Sequence, residues 1–325
     1  MAMISRLVAR RRTLLSTLAV LLFAAGLQFF NANPAASQTV LLQSYESTDD
    51  PGIDPASNVW DHAIPVKVPL TAQLGTYPTG GGSVPTISAK ALHHKGKLYL
   101  RVEWADSTND ESTVRVEDFS DAVAVEFPAQ SATSVPSLCM GQADAGVNIW
   151  HWRADSQAGL KDPLQVYAGA QVDGYPSKDA LFYTARAAGN PFAQPDRGPV
   201  QTLVSQTFGT LSPSTDQDVA GQGVYKDGKW AVVFQRGYEA KNPQQAKFGN
   251  GTRTDMAFAV WNGSEGDRNG RKSVSQFVTL SVADAATPGS SQTNTTAMVW
   301  AGVMLVGVSG IGIAIGAVGY RQAKR

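Results

Sequence analysis

Hydrophobic and polar residues alternate with a period of two in several short segments in the middle of the chain. In the clearest one, Lys97 to Trp104, every second side chain is apolar, which is typical of a half-buried β-strand. The preceding segment, Ile87 to Leu92, has a similar pattern, and His93 to Gly96 separates the two. The pattern therefore predicts a β-hairpin.

A second hairpin is predicted between Gly221 and Arg236, because its turn contains Asp227 and Gly228, a pair that readily adopts positive φ angles. No long helical period is found between residues 38 and 285. The pattern therefore predicts an all-β fold, an antiparallel β-sandwich over residues 38–285. Four further strands are predicted: Ala122 to Phe127, Val147 to Trp152, Met256 to Trp261 and Val274 to Val282.

Two uncharged apolar runs flank this predicted domain. The first, Leu14 to Phe30, follows an arginine-rich start, so residues 1–37 are interpreted as a signal peptide or an uncleaved N-terminal anchor. The second, Ala297 to Tyr320, is long enough to cross a bilayer as a transmembrane helix. Positive charges precede the first run and follow the second, which predicts cytoplasmic ends and an external, periplasmic domain.

The segments on either side of the second run complete this organisation. Residues 286–296 are polar and are expected to form a flexible linker, and residues 321–325 a short cytoplasmic tail. We therefore expect a single C-terminal span in the cytoplasmic membrane, with the main domain on its external side.

The charges of the whole chain balance, with 27 lysines and arginines against 27 aspartates and glutamates. Seven of the basic residues lie in the first 37 and last five positions, so 20 basic residues face 27 acidic ones in the part between. No polycationic block is present. We therefore expect no nucleic-acid partner.

The single cysteine, Cys139, limits the cofactors that this chain can hold by itself. It excludes an internal disulfide, a cysteine-ligated zinc site, an iron–sulfur cluster and the covalent attachment of a c-type haem. Hydrolase, zinc-peptidase, P-loop and dinucleotide motifs are also absent. No motif of this chain therefore points to a catalytic site of its own.

Two polar features are interpreted as ordinary surface. His93 and His94 fall at the predicted turn of the first hairpin, so both are expected to be exposed. The acidic loop from Asp49 to Asp54 offers the oxygen ligands that calcium prefers, but it is interpreted as a solvated loop.

Three segments carry more specific motifs. The first is Asn-Val-Trp-Asp-His-Ala at residues 58–63. The second joins the Cys-Met-Gly turn at residues 139–141 to Val-Asn-Ile-Trp-His-Trp-Arg-Ala-Asp at 147–155. The third joins Trp-Asn-Gly at residues 261–263 to Asp-Arg-Asn-Gly-Arg-Lys-Ser-Val-Ser at 267–275.

Together these motifs resemble the haem-b-binding gamma subunit of ethylbenzene dehydrogenase. This family is shared with dimethylsulfide, selenate and chlorate reductases and with related nitrate- or nitrite-converting complexes. The resemblance extends over about residues 50–283. It implies a β-sandwich that holds one noncovalent haem b between a methionine and a lysine.

The resemblance places these two ligands at Met140 and Lys272. A thioether is a soft, neutral ligand that favours ferrous iron, and lysine binds iron only as a neutral amine. Lys241, Lys247 and His151 remain alternatives to Lys272.

Four further residues of these motifs are candidate haem contacts. Trp150 and Trp152 could pack against the haem or within the sheet, and Arg153 or Arg271 could pair with a haem propionate.

The family implies an electron-transfer subunit of an oxidoreductase complex. Iron–sulfur clusters and the molybdenum cofactor would belong to partner subunits, and the haem would connect an iron–sulfur subunit to a cytochrome c or a membrane electron carrier. The soluble gamma subunits of the family lack a C-terminal span, so residues 297–320 favour a membrane-bound nitrate or nitrite enzyme.

Two alternatives remain. One is a carbohydrate-binding or adhesion module, since related sandwiches bind sugars on exposed aromatic residues and the chain has seven tryptophans. The other is a haem-free scaffold subunit with the same fold.

Overall fold

The computed structural model describes residues 40–74, 80–113, 115–138, 140–161 and 198–284. The chain divides into one compact unit of residues 1–283 and a second of residues 284–325. The predicted signal segment, linker, membrane span and tail lie outside the described residues. None of the helices in the described part is long and apolar enough to cross a membrane. The domain boundaries therefore stay predictions.

Strands make up most of the regular structure in the described ranges, so the all-β prediction is confirmed. One short helix, α1 (Ala154–Lys161), follows the sixth strand. The strands are β1 (Val40–Glu46), β2 (Val66–Ala72), β3 (Thr86–His94), β4 (Lys97–Ala105), β5 (Ala122–Pro128), β6 (Val147–Arg153), β7 (Val200–Ser205), β8 (Ser212–Pro213), β9 (Ala220–Lys226), β10 (Lys229–Gly237), β11 (Arg253–Trp261), β12 (Ser273–Ser275) and β13 (Val278–Val282).

The strands pair into two groups. In the first sheet β9, β10, β4 and β3 are neighbours, and β1 and β13 extend it. In the second sheet the order is β8, β7, β6, β5, β11 and β12. Two strands belong to both sheets. β11 pairs with β13 through its first residues and with β5 through Ala257 to Trp261, and β2 pairs with β12 of the second sheet and with β3 of the first. This arrangement is consistent with a β-sandwich.

One strand, β1, differs from the antiparallel prediction in both of its pairings. β1 runs parallel to both of its neighbours, β13 and β3. Antiparallel direction is imposed where a tight turn joins two strands, and no tight turn joins β1 to either neighbour.

The main core lies between the two sheets and draws side chains from both. The apolar face of β4 is buried there as predicted, and Trp104 stacks on Trp230 of β10 with ring centroids 6.3 Å apart. The predicted β9–β10 hairpin is also present. Its turn residues, Asp227 and Gly228, have φ angles of 52° and 73°.

The expectation that His93 and His94 are surface residues was wrong. Strand β3 continues through both, and their side chains are 2% and 8% exposed. The turn is confined to Lys95 and Gly96, whose φ angles are positive. The end of β1 and the residue after it pack against the two histidines, because His93 Nδ1 lies 3.1 Å from the hydroxyl of Ser44 in β1 and His94 Nδ1 lies 2.7 Å from the Ser47 carbonyl.

Two other segments differ in detail. The predicted strand from Val274 to Val282 is divided into β12 and β13, because the first part pairs with β2 in the second sheet and the second part pairs with β1 in the first sheet. The Asn-Val-Trp-Asp-His-Ala motif forms a 3-10 helix (Asn58–His62). Its Trp60 packs on Tyr99, which buries a strand face that alternation alone would leave exposed.

Candidate cofactor site on the second sheet

The second sheet has a second buried surface, on the side facing away from the main core. Alternation along β6 divides its side chains between the two sides: Trp150 and Trp152 enter the core, while Val147 and Ile149 join a separate cluster. We call this surface the outer face. It comprises Ala122, Ala124, Val147, Ile149, His151, Arg153, Leu203, Ala259 and Trp261.

Alanines form the floor of the outer face. Ala259 of β11 pairs with Ala124 of β5, and Ala122 pairs with Trp261. Alanine is depleted in strands, where β-branched and aromatic residues fill the surface better. Adjacent alanines on two neighbouring strands therefore leave this part of the sheet without large side chains.

His151, Trp261 and Lys272 meet at one end of this face. The rings of His151 and Trp261 are 5.0 Å apart, and Lys272 Nζ lies 4.8 Å from the centre of the Trp261 ring. His151 Nε2 is buried without a hydrogen-bond partner. Burial, aided by the charges of Arg153 and Lys272, lowers the pKa of His151 to about 3, so its imidazole is neutral at physiological pH.

The backbone of Lys272 is fixed by a glycine run that precedes β3. The Lys272 carbonyl accepts a hydrogen bond of 3.1 Å from the Gln73 N–H. Gly81, with a φ of 90°, packs so closely that a Cβ at this position would overlap the Lys272 backbone nitrogen. The run at residues 80–82 thus has a positioning role that its composition did not reveal.

Met140 lies beside the other end of the outer face, next to β7. Its carbonyl accepts a hydrogen bond of 2.9 Å from the Ser205 hydroxyl. The next residue, Gly141, has a φ of 65°, and a Cβ there would lie 2.7 Å from the Ala145 carbonyl oxygen. The Met-Gly pair therefore makes a tight turn that holds the half-buried methionine against the ends of β6 and β7.

The two candidate arginines lie near Lys272, and each contacts an acid of this chain. Arg153 forms an ion pair with Asp155, to whose Oδ1 its Nε donates a hydrogen bond of 2.9 Å. Arg271 lies 3.4 Å from Asp267 and donates a hydrogen bond to the Glu265 carbonyl.

Trp150 and Trp152 are not brought together with Met140 and Lys272. Both are fully buried between the sheets, where Trp150 packs on Phe127 at 4.8 Å and Trp152 on Trp230 at 5.0 Å. Of the two interpretations, packing within the sheet is the one that their positions match.

The three alternatives to Lys272 as the second iron ligand lie in different parts of the structure. Lys241 and Lys247 lie in the loop after β10, are half exposed or more, and pair with Asp218 and Glu239. Only His151 among the three alternatives lies on the outer face.

The residues of the outer face fit a haem. Noncovalent haem needs an apolar surface for its ring and neutral nitrogen or sulfur donors for its iron. The alanine floor supplies the surface, and the groups near it are a thioether, a neutral imidazole whose Nε2 has no hydrogen-bond partner, and the Lys272 amino group, which would bind iron after losing its proton.

One cluster was missed at the sequence level. Carboxylate oxygens of Asp106, Asp110 and Asp121 lie within 4.8 Å of one another. The signal that could have found it is the Asp-x-Thr-x-Asp spacing at residues 106–110, which places oxygens on alternate residues of one loop.

Comparisons with known proteins agree with the motifs. The chain is 28% identical to the "Putative respiratory nitrate reductase heme subunit ORF7" of Haloferax mediterranei, covering 90% of this chain and 89% of that protein. It is 24% identical to the chlorate reductase subunit gamma of Ideonella dechloratans, covering 75% and 84%. It is 29% identical to the dimethylsulfide dehydrogenase subunit gamma of Rhodovulum sulfidophilum, covering 68% and 72%.

Among solved structures, the chain is similar to a family 9 carbohydrate-binding module of Caldicellulosiruptor kristjanssonii in complex with glucose. The TM-score is 0.38 at 10% identity, covering 78% of this chain and 99% of that chain. The family model described as ethylbenzene dehydrogenase matches residues 57–273, a range that includes all three motifs apart from the last two residues of the third. The resemblance inferred from the motifs is confirmed, and the chain belongs to the ethylbenzene dehydrogenase family.

Proposed function

We propose that this chain binds haem b on the outer face of its second sheet and is an electron-transfer subunit of a multisubunit molybdenum oxidoreductase. The observation that carries the proposal is the outer face itself, an alanine floor with Met140, Lys272 and His151 around it. The names of the relatives, a heme subunit and two gamma subunits of reductase or dehydrogenase complexes, point to the same role.

The haem, when bound, supplies a reversible one-electron couple. Met140 and Lys272 are the residues proposed to hold the iron, and a thioether ligand would favour its reduced form. The His151 imidazole, neutral because of its burial, is the competing donor. Arg153 and Arg271 are the proposed partners of the propionates, and the buried surface around them excludes water from the ring.

The need for partner subunits follows from the cofactors that this chain is not expected to bind. Its one cysteine cannot hold an iron–sulfur cluster, so the clusters and the molybdenum cofactor are proposed to lie on partner subunits. The electron would pass between an iron–sulfur subunit and a cytochrome c or a membrane carrier. We further propose that residues 297–320 anchor the domain to the external side of the cytoplasmic membrane, because this run is uncharged and precedes three basic residues.

The sugar-binding alternative finds little support in the described residues. Trp60, Trp104, Trp150, Trp152 and Trp230 are each 2% exposed or less. Trp261, which is half-buried, contacts His151 and Lys272. The described part of the chain therefore presents no exposed tryptophan platform of the kind on which a sugar ring stacks.

The test is the visible spectrum of the full chain, produced with a supply of haem, in the oxidised and dithionite-reduced states. We expect a Soret band that shifts on reduction and the α and β bands of a b-type haem. Met140→Ala and Lys272→Ala should each change the spectrum and lower haem occupancy by about tenfold or more, because each removes an iron ligand. His151→Ala should preserve the ligand bands.

Lys241→Ala is the matched control, since it removes a lysine whose partner is Asp218. A spectral change in His151→Ala together with an unchanged Lys272→Ala would reassign the second ligand. A folded chain that binds no haem would refute the proposal and leave the scaffold and sugar-binding functions.

A further inference from the structure

Three carboxylates meet beside the loop that joins β4 to β5. Asp106 directly follows β4, Asp110 lies four residues later, and Asp121 immediately precedes β5. Their ligand oxygens lie within 4.8 Å of one another. Asp106 and Asp121 are 4% and 0% exposed, so this grouping is not a solvated surface.

The hydrogen bonds around the cluster occupy some of these oxygens. Asp121 accepts N–H groups from Asp110, Gly263 and the Trp230 indole at 2.8–2.9 Å. Asp110 Oδ2 accepts the Thr108 hydroxyl at 2.6 Å and the Ser264 N–H at 3.1 Å.

The oxygen left without a partner belongs to the buried Asp106. Its Oδ1 accepts the N–H and the hydroxyl of Thr108 at 3.1 and 3.2 Å, while its Oδ2 is buried and has no partner in hydrogen-bond geometry, although the nearby Trp104 indole lowers the pKa of Asp106. No lysine or arginine of the described residues forms an ion pair with any of the three acids. Buried carboxylates this close are stable only if a proton or a cation compensates their charge.

We propose that Asp106, Asp110 and Asp121 bind a divalent cation of the calcium type. Hard cations of this type prefer carboxylate oxygens and complete their coordination with carbonyl oxygens and water. The Asp-x-Thr-x-Asp spacing of residues 106–110 is the alternate-residue arrangement found in calcium-binding loops. The inference is independent of haem binding.

The pKa values agree with this assignment. Burial, together with the neighbouring carboxylates, raises the pKa of Asp106, and it raises that of Asp121 to about 7. Both shifts express the cost of placing buried negative charges close together without a compensating cation.

The cation would join two distant parts of the chain. Gly263 and Ser264, which follow β11, donate their N–H groups to Asp121 and Asp110. Gly263 lies so close to this loop that a Cβ there would overlap the Phe119 carbonyl and lie 2.7 Å from Asp110 Cβ. A cation held by the three acids would therefore fix the start of the segment that leads to Lys272.

The test is calorimetric titration of Ca²⁺ into the full chain after treatment with a chelator, together with thermal unfolding. We expect one Ca²⁺ per chain with a dissociation constant of about 10⁻⁵–10⁻³ M, and a midpoint temperature that rises with Ca²⁺ concentration. The proposal requires saturable Ca²⁺ binding by the wild-type chain, whatever the variants show. Its absence would overturn the site.

Asp110→Asn locates the site, because Asp110 is the least buried of the three acids and the change keeps an oxygen acceptor. We expect it to weaken Ca²⁺ binding by about tenfold or more. Asp118→Asn is the matched control in the same loop, since Asp118 pairs with Arg115 outside the cluster. Equal Ca²⁺ affinity in wild type and Asp110→Asn would overturn the assignment.

Discussion

His93 is a buried imidazole whose packing makes stability depend on pH. Its ring is 2% exposed, its Nδ1 faces the Ser44 hydroxyl, and its Nε2 is buried without a partner. Burial lowers the pKa of His93 below 6.5, against a smaller opposing effect of Glu46. The folded protein therefore binds this proton less readily than the unfolded chain does.

The pH dependence follows from that difference. Above pH 6.5 neither state is protonated at this site, and below it the unfolded state takes up the proton first, so the free energy of unfolding should fall as pH falls. His93→Phe should make the urea-unfolding free energy less dependent on pH between 7 and 5 than it is in wild type. The exposed His62→Phe should leave it unchanged. An unaltered pH slope in His93→Phe would contradict the prediction.

The same residue shows where prediction from the sequence ends. Alternation in β4 correctly predicted its strand, its buried face and the hairpin. It could not show that the end of β1 pairs with the end of β3, because Ser44 of β1 is 49 positions from His93. For the same reason, nothing in the local pattern joined Asp121 to Asp110 and Gly263.

At the scale of elements, the glycine run before β3 has a clear positioning function. Gly80, Gly81 and Gly82 all have positive φ angles, and Gly81 lies against the Lys272 backbone. The local sequence shows only three consecutive glycines. The partner of this run is almost 200 positions away, so only the fold reveals why glycine is needed there.

Gly81→Ala should therefore destabilise the chain for two reasons. The positive φ angle costs an L-residue about 1–2 kcal/mol, and the new methyl group must also displace the backbone before β12. Gly209→Ala is the matched control, because Gly209 has a φ of 85° with no heavy atom within 4 Å of the added Cβ. Urea unfolding should show a larger loss of stability for Gly81→Ala than for Gly209→Ala. Equal losses would mean that the contact with Lys272 carries no energy.

For the whole molecule, the two sides of the second sheet perform different tasks. The inner side, with Trp150, Trp152 and Val260, is close-packed and contributes to stability. The outer face combines small side chains with the buried Nε2 of His151, and it is the surface on which we propose that the haem binds. The second sequence motif correctly predicted strand β6. Alternation along β6, which places Trp150 and His151 on opposite sides, then separates the packing residues from the proposed binding residues.

This division can be tested with neighbouring residues of β11, and the result depends on the proposed haem site. Val260 is fully buried in the core, so Val260→Ala leaves a cavity there. The change should lower the free energy of unfolding by about 2 kcal/mol and leave haem binding intact. Ala259→Leu adds bulk to the floor of the outer face, where Ala259 is half-buried, so it should cost about 1 kcal/mol or less in stability. Its effect should appear in haem titration of the full chain, as an affinity lowered by about tenfold or more, because the added side chain occupies the space that the alanines leave open. If Val260→Ala lost haem and Ala259→Leu retained it, the cofactor would have to lie on the core side of the sheet.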